Sequence, residues 1–485
     1  MRRVLGLAAT LSLAAAAPAV GAAQPVIPGD VPDPSVIRAP DGFYAVATSK
    51  DWVPAFPLFF SPDLVHWRRA GAVLPHPPAW AKGDFWAPEL ARFDGRYRVY
   101  FAASRRHGRP CIGLATARRP GGPWRDRGRV LCPQQGAIDP KAVVDERGRP
   151  WLAYKRFGVG GGIWLRPLRA GGTRAGGPAR RLIAPGMPWQ QATTEGPDLV
   201  RHAGAWYLVY SGGHCCRPPC TYAVGVARAP TLLGPWVVRP QPSLRGDAQV
   251  KCPGHGTLVD DGAGRTWLLH HAYPVSDIAD ARRQAFLTPV MWGADGWPVF
   301  GPLEPATTGG SGWSDAFAGH ALRDGWQWRA GRAPLVAVSA GALRLRAAGR
   351  DRSRLIARQV TLDDFAAEAT VTPGRCRAGL AVVGSDDRPL GLEAGGTLRL
   401  WRGTGPGRAL ARAPRPAGRA LRLRAEVSAG RTVRFLVARA GTWAPVGGVL
   451  QTAPGVRILR VALTCAGRRG AAARFARVAV EPLAA

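Results

Sequence analysis

Short apolar stretches, each introduced by a small or acidic residue and a proline or glycine, recur along the first part of the chain. Each stretch leads into a glycine-containing turn and then into a second stretch rich in aromatic residues. The repeats start at Asp33-Pro34, Trp86-Ala87-Pro88, Asp139-Pro140, Glu195-Gly196-Pro197 and His255-Gly256. Short apolar runs bounded by turn residues predict β-strands joined by tight turns.

The spacing of the repeats predicts their architecture. From Pro34 to Pro88, Pro140, Pro197 and Gly256 the steps are 54, 52, 57 and 59 residues, which is room for about four short strands each. No long amphipathic helix intervenes. A four-stranded unit repeated five times around an axis is a five-bladed β-propeller. A β-sandwich would not repeat at this period, and the coils of a β-helix are far shorter.

The first strand of every propeller blade lines the central channel, so equivalent positions at the blade starts converge. Those positions carry three carboxylates, an aromatic residue and a histidine: Asp33, Trp86, Asp139, Glu195 and His255. Burying carboxylates together raises the pKa of some of them and requires a functional reason. The shared register therefore predicts an active site rather than five separate turns.

Three carboxylates in one place suit glycoside hydrolysis, which needs a protonated carboxyl group for the leaving oxygen and an ionised carboxylate. We assign Asp33 as the general base and Glu195 as the general acid, with Asp139 raising the pKa of Glu195 by like-charge repulsion. Placement on opposite sides of the channel leaves room for a water. This predicts inversion, with a carboxyl separation of roughly 6.5–9.5 Å.

The blade-start blocks resemble the signature blocks of glycoside hydrolase family 43 over roughly residues 25 to 302. The blocks are Asp33-Pro34-Ser35-Val36, Trp86-Ala87-Pro88-Glu89, Ile138-Asp139-Pro140, Thr194-Glu195-Gly196-Pro197, Gly254-His255-Gly256 and the segment from Arg283 to Val290. The resemblance implies the same three roles and inversion. It also implies that Arg283 contacts the sugar or a catalytic carboxylate, and that His255 lies beside a calcium or sodium ion that is coordinated mostly by water. The alternative for His255 is a structural hydrogen-bonding role, and the chemistry itself requires no cofactor.

Aromatic residues near the blade starts are candidates for a platform that stacks on a sugar. Trp86 is the first candidate, and Trp52 and Phe85 are weaker ones. The alternative is the propeller core, because the 18 tryptophans of the chain cannot all be platforms. His214, beside Cys215, is predicted either to reach the rim of the site or to be an ordinary loop histidine.

The C-terminal part has a different pattern. Residues 303–313 are predicted to form a linker, and stretches such as Leu343-Arg344-Leu345-Arg346 alternate at period two. Alternation of this kind with many turns predicts an antiparallel β-sandwich over residues 314–485. The block from Ser314 to Phe317 is similar to the concanavalin-like module appended to β-xylosidases of the family, which implies packing on the propeller. An independent carbohydrate-binding module is the alternative.

The N-terminus, the cysteines and the charge indicate the compartment and the partners. Residues 1–23 have a basic start, a short apolar run and a small-x-small site, which predict a signal peptide and a secreted or periplasmic protein. Disulfides are then expected within regions, between Cys111 and Cys132, between Cys376 and Cys465, and among Cys215, Cys216, Cys220 and Cys252 in an open pairing. The net charge of +34 comes from scattered arginines, without a nucleic-acid module or a later membrane segment.

These observations predict an inverting hydrolase of arabinose- or xylose-containing polysaccharides or oligosaccharides. The appended sandwich favours exo action, as an α-L-arabinofuranosidase or β-xylosidase. The Cys215-Cys216 loop resembles that of some endo-acting relatives, so an endo-arabinanase is the alternative. A non-catalytic sugar-binding propeller is expected to lack one of the carboxylates. A sucrose- or fructan-processing propeller would match the Asp139 and Glu195 blocks less well.

Overall fold

The computed structural model describes residues 24–105, 108–216, 218–277, 281–306, 309–349, 354–405 and 409–483. The predicted signal peptide lies outside these ranges. Within them the regular structure is β-strand, apart from two 3₁₀ turns at Ala170–Gly172 and Pro188–Gln190. No helix of the described ranges is long and apolar enough to cross a membrane. The predicted all-β class is confirmed.

The N-terminal part of the described chain forms five four-stranded antiparallel sheets in succession. Blade 1 contains β1 (Ser35–Ala39), β2 (Gly42–Val46), β4 (Ala55–Ser61) and β5 (Arg68–Leu74), and β3 (Trp52–Val53) leaves it. Blade 2 contains β6 (Gly83–Phe93), β7 (Arg96–Ser104), β8 (Pro110–Ala117) and β9 (Arg125–Leu131). Blade 3 contains β10 (Ala137–Val144), β11 (Pro150–Arg156), β12 (Gly162–Pro167) and β13 (Arg180–Ile183). Blade 4 contains β14 (Glu195–His202), β15 (Ala205–Gly212), β16 (Ala223–Ala229) and β17 (Val237–Val238), and blade 5 contains β18 (Val250–Asp260), β19 (Thr266–Pro274), β20 (Gln284–Trp292) and β21 (Pro298–Phe300).

The predicted five-bladed propeller is therefore confirmed, and its turns explain the repeated glycines. In blade 2, Asp94 and Gly95 connect β6 to β7 with φ angles of 50° and 65°. Two successive residues in the left-handed region form the hairpin turn that matches the twist of antiparallel strands, and glycine adopts it without steric cost.

Apolar side chains fill the spaces between neighbouring blades. Phe56, Phe101 and Val46 belong to the cluster between blades 1 and 2, and Leu269 belongs to the cluster between blades 5 and 1. The chain before β1 joins this last cluster, and Ile27 forms a bridge with Ala285 of β20. Each blade consists of consecutive strands, so the ring closes through packing and this bridge.

The C-terminal part forms two facing antiparallel sheets, as predicted for a β-sandwich. Its strands are β22 (Trp313–Asp315), β23 (Trp326–Arg329), β24 (Leu335–Ser339), β25 (Ala342–Arg346), β26 (Ile356–Gln359), β27 (Phe365–Thr372), β28 (Arg377–Gly384), β29 (Pro389–Ala394), β30 (Thr397–Arg402), β31 (Ala411–Pro414), β32 (Leu421–Ser428), β33 (Thr432–Arg439), β34 (Thr442–Pro445), β35 (Leu450–Gln451), β36 (Ile458–Ala466) and β37 (Ala472–Pro482). One sheet has the order β24-β25-β37-β27-β32-β33-β34, and the other has the order β3-β23-β26-β36-β28-β29-β30-β31. The division at residues 303–313 stays a prediction.

The propeller and the sandwich share a sheet, because β3 of the propeller pairs with β23 of the sandwich. Trp52 of β3 is 1% exposed and packs against the sandwich side chains Ala381 and Trp401. Its Nε1 donates a hydrogen bond of 2.9 Å to Asp387, and the Arg460 guanidinium lies 4.2 Å from the ring centroid. The prediction that Trp52 is a sugar platform is wrong, since both the ring and its N–H are enclosed in the interface.

The cysteine pairs lie within regions, as expected. The described chain has disulfides between Cys111 and Cys132, Cys215 and Cys216, Cys220 and Cys252, and Cys376 and Cys465. The pairing that the sequence left open is thus settled. One of these bonds closes a ring between adjacent residues, and another ties the loop after β15 to β18 at the start of blade 5.

Candidate active site

The first strand of each blade has a kink where it meets the propeller axis. Asp33, Ala87, Asp139, Gly196 and His255 have φ angles of 53°, 43°, 56°, 57° and 43°. In blades 2 to 5 the pairing register shifts beside the kink. Non-glycine residues in this region store strain, which folds tolerate where it positions side chains.

The kinks correct the predicted alignment of the blade starts. The left-handed residue precedes a proline in blades 1 to 4, and in blades 2 and 4 this residue is Ala87 and Gly196. Trp86 and Glu195 therefore lie one position earlier than Asp33, Asp139 and His255. The repeat did bring the blade starts together, but it did not make all five side chains equivalent.

Asp33 is held as a carboxylate by partners from blades 1 and 5. Its Oδ1 lies 2.8 Å from Arg283 Nη1, and its Oδ2 accepts a hydrogen bond of 2.6 Å from Thr48 Oγ1. The backbone N–H of Asp33 donates to Nδ1 of His271 at 3.1 Å. Although burial alone would raise the pKa of Asp33, the Arg283 charge and the two histidines, His255 and His271, hold it well below its usual range. Asp33 is therefore ionised at neutral pH.

Glu195 has two partners on its carboxyl group. Tyr222 donates a hydrogen bond of 2.8 Å to Oε1, and the Lys155 ammonium contacts Oε2. Burial would raise the pKa of Glu195, but Lys155 and Tyr222 lower it below its ordinary value. The predicted rise in the pKa of Glu195 is wrong, because the adjacent Lys155 ammonium outweighs any repulsion from Asp139.

The pKa of Asp139 is shifted upward, opposite to that of Glu195. Asp139 is buried, and its Oδ2 accepts a hydrogen bond of 3.0 Å from the backbone N–H of Gly196, the residue after Glu195. Burial raises the pKa of Asp139 to about 6, with His255 partly offsetting this effect and the Glu195 charge adding to it. Asp139 therefore exchanges its proton near neutral pH.

An open cavity of about 670 Å³ lies over Glu195. Lys155 and the loop after β15 line it, including His214 and the Cys215–Cys216 ring. The cavity places the Glu195 carboxyl group where a ligand can reach it. His214 is at the rim, which was one of its two predicted places.

His255 contacts Asp33 rather than a set of metal ligands. Its Nδ1 lies 3.5 Å from Asp33 Oδ1, and its backbone N–H donates to Ser211 Oγ at 2.8 Å. Within the described ranges no three His, Cys, Asp or Glu side chains form a group that could hold a metal ion. Calcium and sodium prefer several oxygen ligands, and the Asp33 oxygens already have Arg283 and Thr48 as partners. The described protein groups at His255 therefore offer the implied ion no set of oxygen ligands of their own.

The aromatic candidates at blade 2 differ in accessibility. Phe85 is fully buried and packs edge-on against Phe56 in the core between blades 1 and 2. The prediction that Phe85 is a sugar platform is therefore wrong, because its ring has no exposed surface. Trp86 is partly exposed at the start of β6, so its platform role stays a prediction.

Several residues of the site were missed by the repeat analysis, namely Thr48, Lys155, Tyr222 and His271. They belong to the second and third strands of their blades or to the loops beside them, where the sequence has no shared motif. Lys155 did have a signal, since it ends the otherwise apolar stretch Trp151-Leu152-Ala153-Tyr154. A charge at the end of a buried strand that points to the axis indicates a site residue.

The profile of glycosyl hydrolases family 43 matches residues 22–298. The chain is 28% identical over 324 residues to the extracellular exo-α-(1→5)-L-arabinofuranosidase ArbA of Cellvibrio japonicus, covering 59% of this chain and 90% of ArbA. It is 26% identical to the extracellular endo-α-(1→5)-L-arabinanase 1 of Bacillus subtilis, covering 61% of this chain and 95% of that protein. The crystal structure of xylan β-1,4-xylosidase from Bacillus halodurans has a TM-score of 0.80 at 22% identity and covers 95% of this chain and 100% of that one. With more than half of its length matched, the chain belongs to glycosyl hydrolases family 43.

Proposed function

We propose that this inverting glycosidase is a secreted exo-acting enzyme that removes terminal α-L-arabinofuranosyl or β-xylosyl units from plant polysaccharides or oligosaccharides. The observation that carries the proposal is the contrast between two carboxyl groups. Asp33 is fixed as a carboxylate by Arg283 and Thr48, whereas Glu195 faces an open cavity beside Lys155.

The contrast assigns the two halves of the reaction. Asp33 takes a proton from the attacking water, because an ionised carboxylate that is oriented by hydrogen bonds is a suitable general base. Glu195 gives a proton to the leaving oxygen on the other side of the sugar. In an inverting enzyme the water lies between the sugar and the base, so one displacement completes the reaction.

The lowered pKa of Glu195 favours its ionised form, so the acid must gain a proton before it acts. Asp139, which contacts the peptide that follows Glu195, has a pKa of about 6. Interacting carboxyl groups of this kind titrate as a pair. We assign Asp139 as the residue that keeps a proton available to the pair and fixes the backbone beside Glu195.

The packing of the sandwich supports exo action. Arg329 of β23 forms an ion pair of 3.1 Å with Asp51, and Asp51 accepts a hydrogen bond of 2.9 Å from the backbone N–H of Asp84. The loop that contains Asp51 also contains Thr48, which donates a hydrogen bond to Asp33. One rim of the site is thus fixed by the second domain. The same two-domain arrangement covers the whole of the β-xylosidase from Bacillus halodurans.

An endo-arabinanase is the second candidate, and the similarity to the Bacillus subtilis arabinanase favours it. The two activities differ in their products on linear arabinan. An exo enzyme releases monosaccharide from the first time point, whereas early accumulation of oligomers would contradict the exo proposal. Nitrophenyl α-L-arabinofuranoside and nitrophenyl β-xyloside, assayed side by side, separate the two exo specificities.

Substitution of the two carboxyl groups tests their roles. Glu195→Gln should abolish turnover of arabinan or xylan but lose less on a dinitrophenyl glycoside, because a good leaving group needs no acid. Asp33→Asn should lose activity on both substrates, since both need the activated water. Equal losses on both substrates for Glu195→Gln would contradict the acid assignment.

A further inference from the structure

A second layer of polar side chains lies two residues beyond the kinks of the five first strands. The positions are Ser35, Glu89, Lys141, Asp198 and Thr257. The contacts among these residues across neighbouring blades place all five positions at the axis beneath the site.

These residues join the five blades in one circuit. Ser35 Oγ donates to Glu89 Oε2 at 2.7 Å, and Lys141 Nζ lies 2.7 Å from Glu89 Oε1 and 2.6 Å from Asp198 Oδ1. The backbone N–H of Leu258 in blade 5 donates to Asp198 Oδ2 at 2.8 Å. Thr257 Oγ1 donates a hydrogen bond of 3.5 Å to the carbonyl oxygen of Pro34 in blade 1, which closes the circuit.

The ammonium of Lys141 is the cation of this circuit. The side chains of Lys141, Glu89 and Asp198 are 12%, 7% and 1% exposed, so the charges are shielded from water. Two carboxylates without a cation would be strongly destabilising in such a place. Burial would lower the pKa of Lys141, but Asp198 and Glu89 raise it, and the ammonium is permanent at neutral pH.

The carboxylates of the site above have their own cations. Asp33 is paired with Arg283, and Glu195 is paired with Lys155. Among the described carboxyl groups of these two layers, Asp139 is the one without an ion pair, and burial raises its pKa to about 6. His255, the residue at which an ion was implied, contacts Asp33 instead.

We infer that the Lys141 ammonium takes the place of a bound metal ion on the propeller axis, so that the fold closes and functions without calcium or sodium. The side chain supplies a fixed positive charge between blades 2, 3 and 4. A metal ion in that position would be repelled by the ammonium. This inference does not depend on which glycoside the enzyme cleaves.

The unmodified protein gives the first test. After treatment with excess EDTA and exchange of sodium for choline, the melting temperature measured by fluorimetry should be unchanged. Mass spectrometry of metals should find less than one calcium per chain. A fall in melting temperature that calcium or sodium reverses, or stoichiometric metal in the purified protein, would overturn the inference.

Removal of the ammonium gives the second test. Lys141→Ala should lower the melting temperature by about 5 °C or more, and millimolar calcium or sodium should restore part of it, because Glu89 and Asp198 then lack a cation. Lys82→Ala, which removes an exposed lysine of blade 2, should show neither effect. If Lys141→Ala is folded but responds to neither ion, the ammonium does not replace an ion. If it does not fold, the metal content of the unmodified protein decides.

Discussion

Lys155→Met removes the positive charge beside Glu195 while keeping most of the side-chain volume of Lys155. Lys155 and Glu195 have side-chain exposures of 16% and 13%, so solvent screens their interaction only weakly. The substitution leaves Tyr222 as the partner of the carboxyl group. Because the ammonium stabilises the ionised form, its loss raises the pKa of Glu195.

The size of this shift follows from the contact. A hydrogen bond to a charged group contributes about 1.5–3 kcal/mol, and one pKa unit corresponds to about 1.36 kcal/mol. Loss of the ammonium should therefore raise the pKa of the acid by about one to two units. As the proposed general acid, Glu195 must be protonated to act, so the loss of activity at high pH should occur at a pH about one to two units higher.

The assay is the pH dependence of kcat/KM, which reports the ionisation of the free enzyme. The high-pH limb should move upward in Lys155→Met, and the low-pH limb should stay, since Asp33 keeps Arg283 and Thr48. Lys155→Arg keeps the charge and should leave both limbs near their original positions. Lys82→Met is the matched control at an exposed lysine.

An unchanged high-pH limb in Lys155→Met would refute the reasoning, because it would mean that the ammonium does not control the acid. A shift of the low-pH limb instead would exchange the assigned roles of Glu195 and Asp33. Circular dichroism of the variant at both pH extremes separates either result from unfolding.

Two further predictions concern Asp33 and the domain interface. In Arg283→Gln the pKa of Asp33 should rise, so the low-pH limb of kcat/KM should move to a higher pH. An unchanged low-pH limb would show that the arginine does not control the ionisation of Asp33. The same pKa difference affects stability. Because the pKa of Asp33 is lower in the folded than in the unfolded protein, the carboxylate stabilises the fold at a pH above the unfolded pKa, and this stabilisation is lost as the pH falls through the folded pKa. Trp52→Ala should lower the free energy of unfolding by about 3–5 kcal/mol, measured by urea titration, and a loss below about 1 kcal/mol would contradict its burial between the domains.

The sequence predicted the propeller because turn chemistry and apolar periodicity repeat in every blade. It also brought Asp33, Asp139 and Glu195 to one axis, although Trp86 and Glu195 proved to lie one residue before the kink. The proline after each kink made the repeat recognisable in the sequence. The left-handed conformation of the residue before that proline could not be predicted in blade 2, because alanine, found there as Ala87, is not a residue type that favours it.

Contacts between side chains of different strands could not be predicted. Lys155 reaches Glu195 from β11 of blade 3, and Tyr222 reaches it from the residue before β16 of blade 4, and only the folded register sets those distances. Trp52 shows the same limit, because a tryptophan in a loop near the site has the same sequence signal whether it stacks on a sugar or on another domain. The sandwich strand that covers it is far away in the chain.

The distribution of cations explains why Asp139 is the carboxyl group that titrates near neutrality. Asp33 has Arg283 and Glu195 has Lys155, and each pKa is lowered by its partner. In the described part of the chain Asp139 has no such ion pair and accepts only the Gly196 N–H, and its pKa rises to about 6. A proton near the acid is therefore kept on the one carboxyl group without its own cation. The high-pH limb of activity consequently belongs to the pair formed by Asp139 and Glu195 rather than to either residue alone.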